Sequence, residues 1–222
     1  MKDASDAILK PEQAAYLEGI ESPRDALLVE MEAFAKDKGE PISDPEVASF
    51  LAVTARLAAP RVVVEVGTNI GYGAIVLARA AGENARVITL ENDPETVEIA
   101  RAFIDRAGLS SRIEVRQGDA LAELAKIAAG PDAIDLAYVD CVKEHYPQYF
   151  DLIVPKLAPK GALLADNVLW HGLVAAKDAD VPDHETKRVI ALREFNRRVV
   201  TDARVRGVIL PLGDGVAYAA RL

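Results

Sequence analysis

The feature that most constrains the fold is an alternation of short apolar runs with longer helical patterns, which begins at Arg61. Five runs, RVVVEV, RVITLE, RIEVRQ, IDLAYVD and GALLAD, are separated by segments with apolar residues at helical spacing. One such segment, DPETVEIARAFIDRAGL, has Asp93 as a cap, Pro94 in its first turn and Gly108 at its end. Because parallel strands need helical crossovers, the sequence predicts an α/β fold whose parallel sheet is covered by helices on both faces.

The two ends of the chain depart from this alternation. The C-terminal RVRGVILPLGDGVAYAARL has two β-like runs joined by LGDG, which predicts a hairpin. The first sixty residues or so predict helices: Ser22 and Pro23 indicate one start, and Ser43 with Glu46 indicates a capping box at another. No linker separates these parts, so we expect a single domain over residues 1–222, with a helical segment (1–58) packed on an α/β core (59–222).

Composition narrows the classes of partner. The 222 residues are half hydrophobic, and a net charge of -9 with a pI near 4.9 disfavours a nucleic-acid backbone as partner. We find neither an apolar stretch of membrane-spanning length nor a signal peptide. The single cysteine, Cys141, excludes an internal disulfide and a cysteine-based zinc cluster. These observations predict a cytoplasmic protein with a small-molecule partner and no membrane.

The first strand ends in a glycine-rich turn, VVVEVGTNIGYG. Its spacing of Gly67, Gly71 and Gly73 differs from the dinucleotide pattern G-x-G-x-x-G, and Glu65 precedes the first glycine. An acid at this position suits a cation, such as an ammonium or sulfonium group, better than a pyrophosphate. A tight strand-to-helix turn with an unrelated glutamate remains an equal alternative for this segment alone.

The second and third strands also end in acids. Glu91 follows the glycines at the spacing at which nucleotide-binding folds hold ribose hydroxyls, although it could instead be a solvated acid before the Asp93 cap. Asp119, in GDAL, could bond an adenine amino group or cap a helix. The register of strand, glycine turn, helix, strand and acid favours a nucleoside cofactor.

The fourth and fifth strands end in oxygen ligands. Asp140 ends one, with Lys143 three residues later, and Asp166 and Asn167 end the other. If these strands are neighbours, two carboxylates and an amide converge, a set that suits Mg²⁺. Asp166 and Asn167 are also residues that commonly form turns.

Taken in order, these segments resemble the metal-dependent, S-adenosylmethionine-dependent O-methyltransferases typified by catechol and caffeoyl-CoA O-methyltransferases, from about Pro41 to the C-terminus. The segments that match are EVGTNIGYG, LEND, GDAL, YVDCVKEHYPQYF, ADNVLWHG and LPLGDGVAYAARL. The resemblance implies a Rossmann-like class I methyltransferase fold: a seven-stranded, mostly parallel sheet with an antiparallel C-terminal hairpin, and extra N-terminal helices. It also implies a homodimer.

The resemblance further implies a role for individual residues. It implies a divalent cation (Mg²⁺, or another such as Ca²⁺ or Mn²⁺) bound by Asp140, Asp166 and Asn167, with Lys143 as the catalytic base and Trp170 beside the acceptor. Positions that contact S-adenosylmethionine fall on Glu65, Gly67, Tyr72, Glu91, Asp119 and Asp140. The implied reaction methylates a hydroxyl of a catechol-like or caffeoyl-type molecule, and it requires that metal charge and burial lower the pKa of Lys143.

Two departures and three rival functions accompany this resemblance. Gly73 stands where the family usually has a serine, and DCVK replaces the more usual DADK.

The same chemistry could act on a hydroxylated uridine in tRNA, since Arg193, Arg197, Arg198, Arg204 and Arg206 form a local basic segment. An NAD(P)-dependent oxidoreductase is disfavoured by the glycine spacing. A non-catalytic nucleotide-binding module is disfavoured by the set of Asp140, Lys143, Asp166 and Asn167.

Overall fold

The computed structural model describes residues 10–20 and 25–222, so the helix start predicted at Ser22 and Pro23 lies outside the described residues. The helices are α1 (Pro11–Gly19), α2 (Ala26–Lys38), α3 (Pro45–Ala58), α4 (Tyr72–Ala81), α5 (Pro94–Arg106), α6 (Ala120–Ala129), α7 (Tyr146–Ile153) and α8 (Thr186–Thr201). The strands are β1 (Val62–Val66), β2 (Arg86–Glu91), β3 (Ile113–Gln117), β4 (Ile134–Val139), β5 (Leu157–Ala165), β6 (Val205–Leu210) and β7 (Val216–Arg221).

These strands form one sheet in the order β3-β2-β1-β4-β5-β7-β6. Strands β1 to β5 are parallel, whereas β7 is antiparallel to both of its neighbours, β5 and β6. The predicted seven-stranded sheet with a C-terminal antiparallel hairpin is therefore confirmed. Strand order reverses between β1 and β4, and ligands of open α/β sheets bind beyond the carboxyl ends of the strands at such a point.

Helices cover both faces of the sheet. On one face, α2 to α5 bury side chains such as Met31, Leu51 and Ile75 against the strands. On the other, α6, α7 and α8 bury Leu124, Phe150 and Phe195 among others. The N-terminal helices α2 and α3 thus share the core of the sheet, which supports the single domain that we continue to propose. No helix in the described part of the chain combines the length and apolar character that crossing a bilayer requires.

Two of the predicted helix starts can be compared with the structure. Asp93 accepts a hydrogen bond from Thr96 N (2.7 Å) and caps α5 as predicted. The capping box of Ser43 and Glu46 is wrong: Asp44 occupies the N-cap position of α3 without a side-chain cap bond. Ser43 lies one residue too early, and its hydroxyl instead lies 2.8 Å from the Tyr138 hydroxyl, which ties the start of α3 to β4.

Candidate active site

The turn after β1 depends on glycine because other backbone lies against it. Gly67 has φ +104°, and a Cβ there would collide with the carbonyl oxygen of Asp140. The amides of Gly67 and Thr68 both donate to Leu90 O at 3.1 Å. The turn is therefore held between the ends of β2 and β4, and its close approach to Asp140 brings two predicted parts of the site together.

A cavity of about 660 Å³ opens at the carboxyl ends of β1, β4 and β5. Nine of the ten residues predicted for the site line it: Glu65, Gly67, Tyr72, Glu91, Asp140, Lys143, Asp166, Asn167 and Trp170. The exception is Asp119, which is the N-cap of α6 and accepts a hydrogen bond from Ala122 N at 2.9 Å. The helix-cap interpretation of Asp119 therefore holds, and its contact with an adenine stays a prediction.

Glu65 lies at the cavity floor with almost no exposure. Burial raises the pKa of Glu65 to about 8; a hydrogen bond from Thr89 opposes this shift, and the Asp140 and Glu91 carboxylates add to it. Thr89 Oγ1 donates to Glu65 Oε2 at 2.5 Å. The Glu65 carboxyl therefore keeps its proton near neutral pH unless a cation lies beside it.

The other oxygen of Glu65 accounts for Gly73. A Cβ at position 73 would collide with Glu65 Oε1, so the first turn of α4 has no room for the family's usual serine while Glu65 keeps this position. The departure noted in the sequence is thus matched to the position of the Glu65 side chain.

Polar groups at the rim of β2 are ordered around Glu91. Its Oε2 accepts a hydrogen bond from Asn69 N (3.0 Å), and its Oε1 accepts from Asn92 N and Asp93 N. Asn69 Oδ1 is buried and has no hydrogen-bond partner among the described residues.

The Tyr72 hydroxyl donates a hydrogen bond to Glu32 Oε1 on α2 (2.7 Å), so the neighbouring helix holds Tyr72 in place.

Asp140 and Asp166 lie side by side because β4 and β5 are parallel neighbours whose last paired residues are Val139 and Ala165. Burial and the Asp140 charge raise the pKa of Asp166 to about 7, against the opposing effect of Lys143. Tyr138 donates to Asp166 Oδ2 at 3.3 Å. Two carboxylates that repel each other at a buried edge make a site that a cation would stabilise.

Asn167 completes this edge in the left-handed conformation, with φ 54°. Asparagine tolerates that conformation, so the turn predicted for this pair is present in the structure. Within the described ranges, no three His, Cys, Asp or Glu side chains are grouped so as to bind a metal. A cation site here consequently needs the Asn167 amide oxygen together with the two carboxylates, a set of hard ligands that fits Mg²⁺ or Ca²⁺.

Lys143 is buried, and its ammonium group is hydrogen-bonded to neighbouring side chains. Its Nζ donates to Asp140 Oδ1 (2.7 Å) and to the Tyr146 hydroxyl (2.9 Å), which in turn donates to Asp166 O. Burial works to lower the pKa of Lys143, but Tyr146 and the Asp140 carboxylate outweigh it and raise the pKa. Without a cation, Asp140 therefore stabilises the ammonium, and the lowered pKa, which the sequence reasoning ties to a bound metal ion, stays a prediction.

Trp170 lies in the loop after β5, Asn167–Gly172, with an unusual backbone. Trp170 (φ 47°) and His171 (φ 53°) are both left-handed, a conformation that costs a non-glycine residue about 1–2 kcal/mol. The Trp170 indole donates to Glu185 Oε2 at 2.7 Å, and Lys143 Nζ lies 5.9 Å from its ring centre. Trp170 thus forms a wall of the cavity beside Lys143.

Sequence reasoning missed three residues that order the site. Tyr138 donates a hydrogen bond to Asp166, Tyr146 accepts one from Lys143, and the backbone N–H of Asn69 donates one to Glu91. Tyr138 could have been found, because strand alternation puts it on the same side as Asp140, two residues later. Tyr146 could not have been found, since nothing in the sequence shows which way its hydroxyl is directed.

Known proteins resemble this chain in sequence and in fold. A family model described as O-methyltransferase matches residues 24–222. The chain belongs to the O-methyltransferase family. Among relatives of this O-methyltransferase, the catechol O-methyltransferase of Niastella koreensis is 34% identical over 204 residues, covering 88% of this chain and 89% of that protein. Tricin synthase 1 of Oryza sativa subsp. japonica is 30% identical over 187 residues, covering 81% and 74%.

Solved structures extend the likeness to the fold of the whole enzyme. An O-methyltransferase from Bacillus cereus, in complex with S-adenosylhomocysteine, superposes with a TM-score of 0.84 at 29% identity, covering 95% of this chain and 97% of that one. The O-methyltransferase TomG from Streptomyces achromogenes, in complex with S-adenosylmethionine, gives 0.83 at 25% identity, covering 96% and 99%. The class I methyltransferase fold implied by the sequence is confirmed.

Proposed function

We propose that this O-methyltransferase moves the methyl group of S-adenosylmethionine to a hydroxyl of a catechol-like or caffeoyl-type small molecule, with the assistance of a divalent cation. The observation that carries the proposal is the convergence of Asp140, Asp166 and Asn167 beside Lys143, at the carboxyl ends of the neighbouring strands β4 and β5. The glycine turn and Glu65 line the same cavity.

The cofactor end of the cavity fits a cationic nucleoside. The solved relatives from Bacillus cereus and Streptomyces achromogenes contain S-adenosylhomocysteine and S-adenosylmethionine, respectively. In this chain, a positive group beside Glu65 would allow that buried carboxyl to ionise, which offsets the cost of its burial. Asn69 Oδ1 has no hydrogen-bond partner among the described residues, so it can accept a hydrogen bond from a bound cofactor.

The acceptor end of the cavity fits a divalent cation. Asp140, Asp166 and Asn167 would hold the ion, whose chemistry when bound is to lower the pKa of a nearby hydroxyl and to orient it. As an ammonium, Lys143 would stabilise the negative charge on the acceptor oxygen once its hydroxyl loses a proton. It can accept the proton of the acceptor only after it loses its own, which requires that another cation neutralise the charge on Asp140.

Methylation assays with S-adenosylmethionine and a panel of vicinal diphenols and caffeoyl esters test this proposal. We expect product with Mg²⁺, none with EDTA, and recovery with excess Mg²⁺, Mn²⁺ or Ca²⁺. Asp166→Asn should remove the metal-dependent rate. The matched control is Asp151→Asn, which changes an exposed carboxylate that pairs with Arg198 outside the cavity. Full activity in EDTA would contradict the metal assignment, and the absence of product from every diphenol and ester would contradict the acceptor class.

A nucleic-acid acceptor receives less support. Three of the five arginines in the basic segment form ion pairs: Arg193 with Asp178, Arg198 with Asp151 and Glu194, and Arg204 with Asp202. Their charge is therefore largely neutralised before any phosphate approaches. Filter binding of tRNA at low and high salt tests this directly, because phosphate contacts require a steep salt dependence. Calorimetry with S-adenosylmethionine and NAD separates methyl transfer from an oxidoreductase function.

Two further expectations remain proposals. A homodimer is supported by apolar side chains exposed on the N-terminal helices, among them Val29, Val53 and Leu57. Sedimentation equilibrium of the wild type and of Leu57→Asp tests it. A cytoplasmic location is supported by the free thiol of Cys141, and fractionation of cells that express the protein tests that.

A further inference from the structure

The strained loop Asn167–Gly172 is held from outside by the turn that joins β6 to β7. Val168 N donates to Gly215 O and Leu169 N donates to Asp214 O, both at 3.0 Å. Gly215 has φ +85°, and a Cβ there would collide with the Leu169 side chain. The hairpin turn therefore packs directly on the loop that contains Trp170.

Asp214 adds a third contact, this time through its side chain. Its two carboxylate oxygens accept a hydrogen bond from His171 N at 3.0 and 2.9 Å. The carboxylate is largely buried, with only 12% of the side chain exposed. His171 N belongs to the peptide that joins Trp170 to His171, and the two residues flanking that peptide are both left-handed. The contact thus fixes the orientation of the peptide at the point where the backbone is least favourable.

We propose that Asp214 is a positioning residue, which holds Trp170 as the wall of the acceptor pocket. Without this carboxylate, the peptide between Trp170 and His171 can rotate, and Trp170 can relax to a negative φ. The indole would then leave its position beside Lys143 and its hydrogen bond to Glu185. The part of this inference that concerns the acceptor rests on the proposed function; the part that concerns the position of Trp170 does not.

Fluorescence tests the position of Trp170 without substrate, because Trp170 is the only tryptophan in the chain. We expect Asp214→Ala to shift the emission to longer wavelength and to raise the acrylamide quenching constant at least about twofold. Asp214→Asn keeps one oxygen that can accept the hydrogen bond but loses the charge, so it should shift the emission in the same direction by a smaller amount. Circular dichroism establishes that each variant is folded, and Asp214→Asn retains a readable, intermediate shift if Asp214→Ala does not fold.

Two control variants separate the main-chain contact from other effects. His171→Ala keeps the backbone N–H but removes an imidazole that lies 4.0 Å from Asp214 and 5.3 Å, centre to centre, from the Trp170 ring, so it measures what the imidazole itself contributes to the Trp170 emission. Asp202→Ala removes a carboxylate that also accepts a backbone hydrogen bond, from Arg204 N at 2.9 Å, near the start of β6. It should affect stability without moving the Trp170 signal.

Steady-state kinetics then test the acceptor. Loss of one hydrogen bond to a charged group should raise the KM of a diphenol about tenfold in Asp214→Ala, while the KM of S-adenosylmethionine changes less than about twofold. Unchanged Trp170 emission and quenching in both Asp214 variants would overturn the inference, and so would an equal rise of the two KM values. If the wild type methylates no diphenol, the proposed function fails, whereas the fluorescence result still decides the role of Asp214.

Discussion

Glu65 should make the stability of the protein fall as pH rises through the neutral range. Its pKa is raised from an ordinary 4.5 to about 8 in the folded state. Between these values the folded state holds a proton that the unfolded state has released, so stability is present at low pH and is lost as pH approaches 8. Each pH unit in this window removes about 1.4 kcal/mol, which gives about 2 kcal/mol between pH 6.0 and 7.5.

The assay is urea unfolding of the wild type and of Glu65→Gln at these two pH values. Glutamine keeps an oxygen that can accept the Thr89 hydrogen bond but has no proton to lose in this range. Asp166, whose pKa is about 7, titrates in both proteins with the same sign and cancels in the difference. The wild type should therefore lose about 2 kcal/mol more than the variant. Equal losses in the two proteins would refute the reasoning.

Two other substitutions test contacts around the cavity. Gly73→Ser should destabilise the protein by about 1–3 kcal/mol in urea because its Cβ meets Glu65, and the loss should shrink in a Glu65→Ala background; the same loss in both backgrounds would exclude this clash. Lys143→Ala should slow methylation while calorimetric binding of S-adenosylmethionine persists, since Lys143 bonds to Asp140 and Tyr146 at the acceptor side. If Lys143→Ala weakened the binding of S-adenosylmethionine as much as it slowed methylation, the placement of Lys143 at the acceptor side would be contradicted.

The sequence predicted most of what depends on order along the chain. The β-branched runs and the Asp93 cap are local features, and they located the strands and α5 correctly. Asp140 and Asp166 end consecutive strands in the sequence, so their proximity followed as soon as these strands were neighbours. Such predictions succeed because strand periodicity and helix capping are decided within a few residues.

What the sequence could not predict depends on side chains that meet from distant segments. The sequence did not show that, without a cation, Asp140 and Tyr146 raise the pKa of Lys143 against the effect of burial. Ser43 was assigned to a helix cap, although its partner is Tyr138, 95 residues away. The sequence drew attention to both Glu65 and Gly73 but did not show that they lie close together. Their approach depends on how α4 packs on β1.

The position of β7 has a consequence for biosynthesis. Residues Val216–Arg221 insert between β5 and β6, both of which leave the ribosome earlier. Until then, one edge of β5 has unpaired backbone N–H and C=O groups, and neither Asp214 nor Gly215 is present to hold the loop after it. A nascent chain that stalls before this hairpin forms therefore exposes an unpaired strand to other chains. Such a chain is prone to aggregate and to be bound by chaperones.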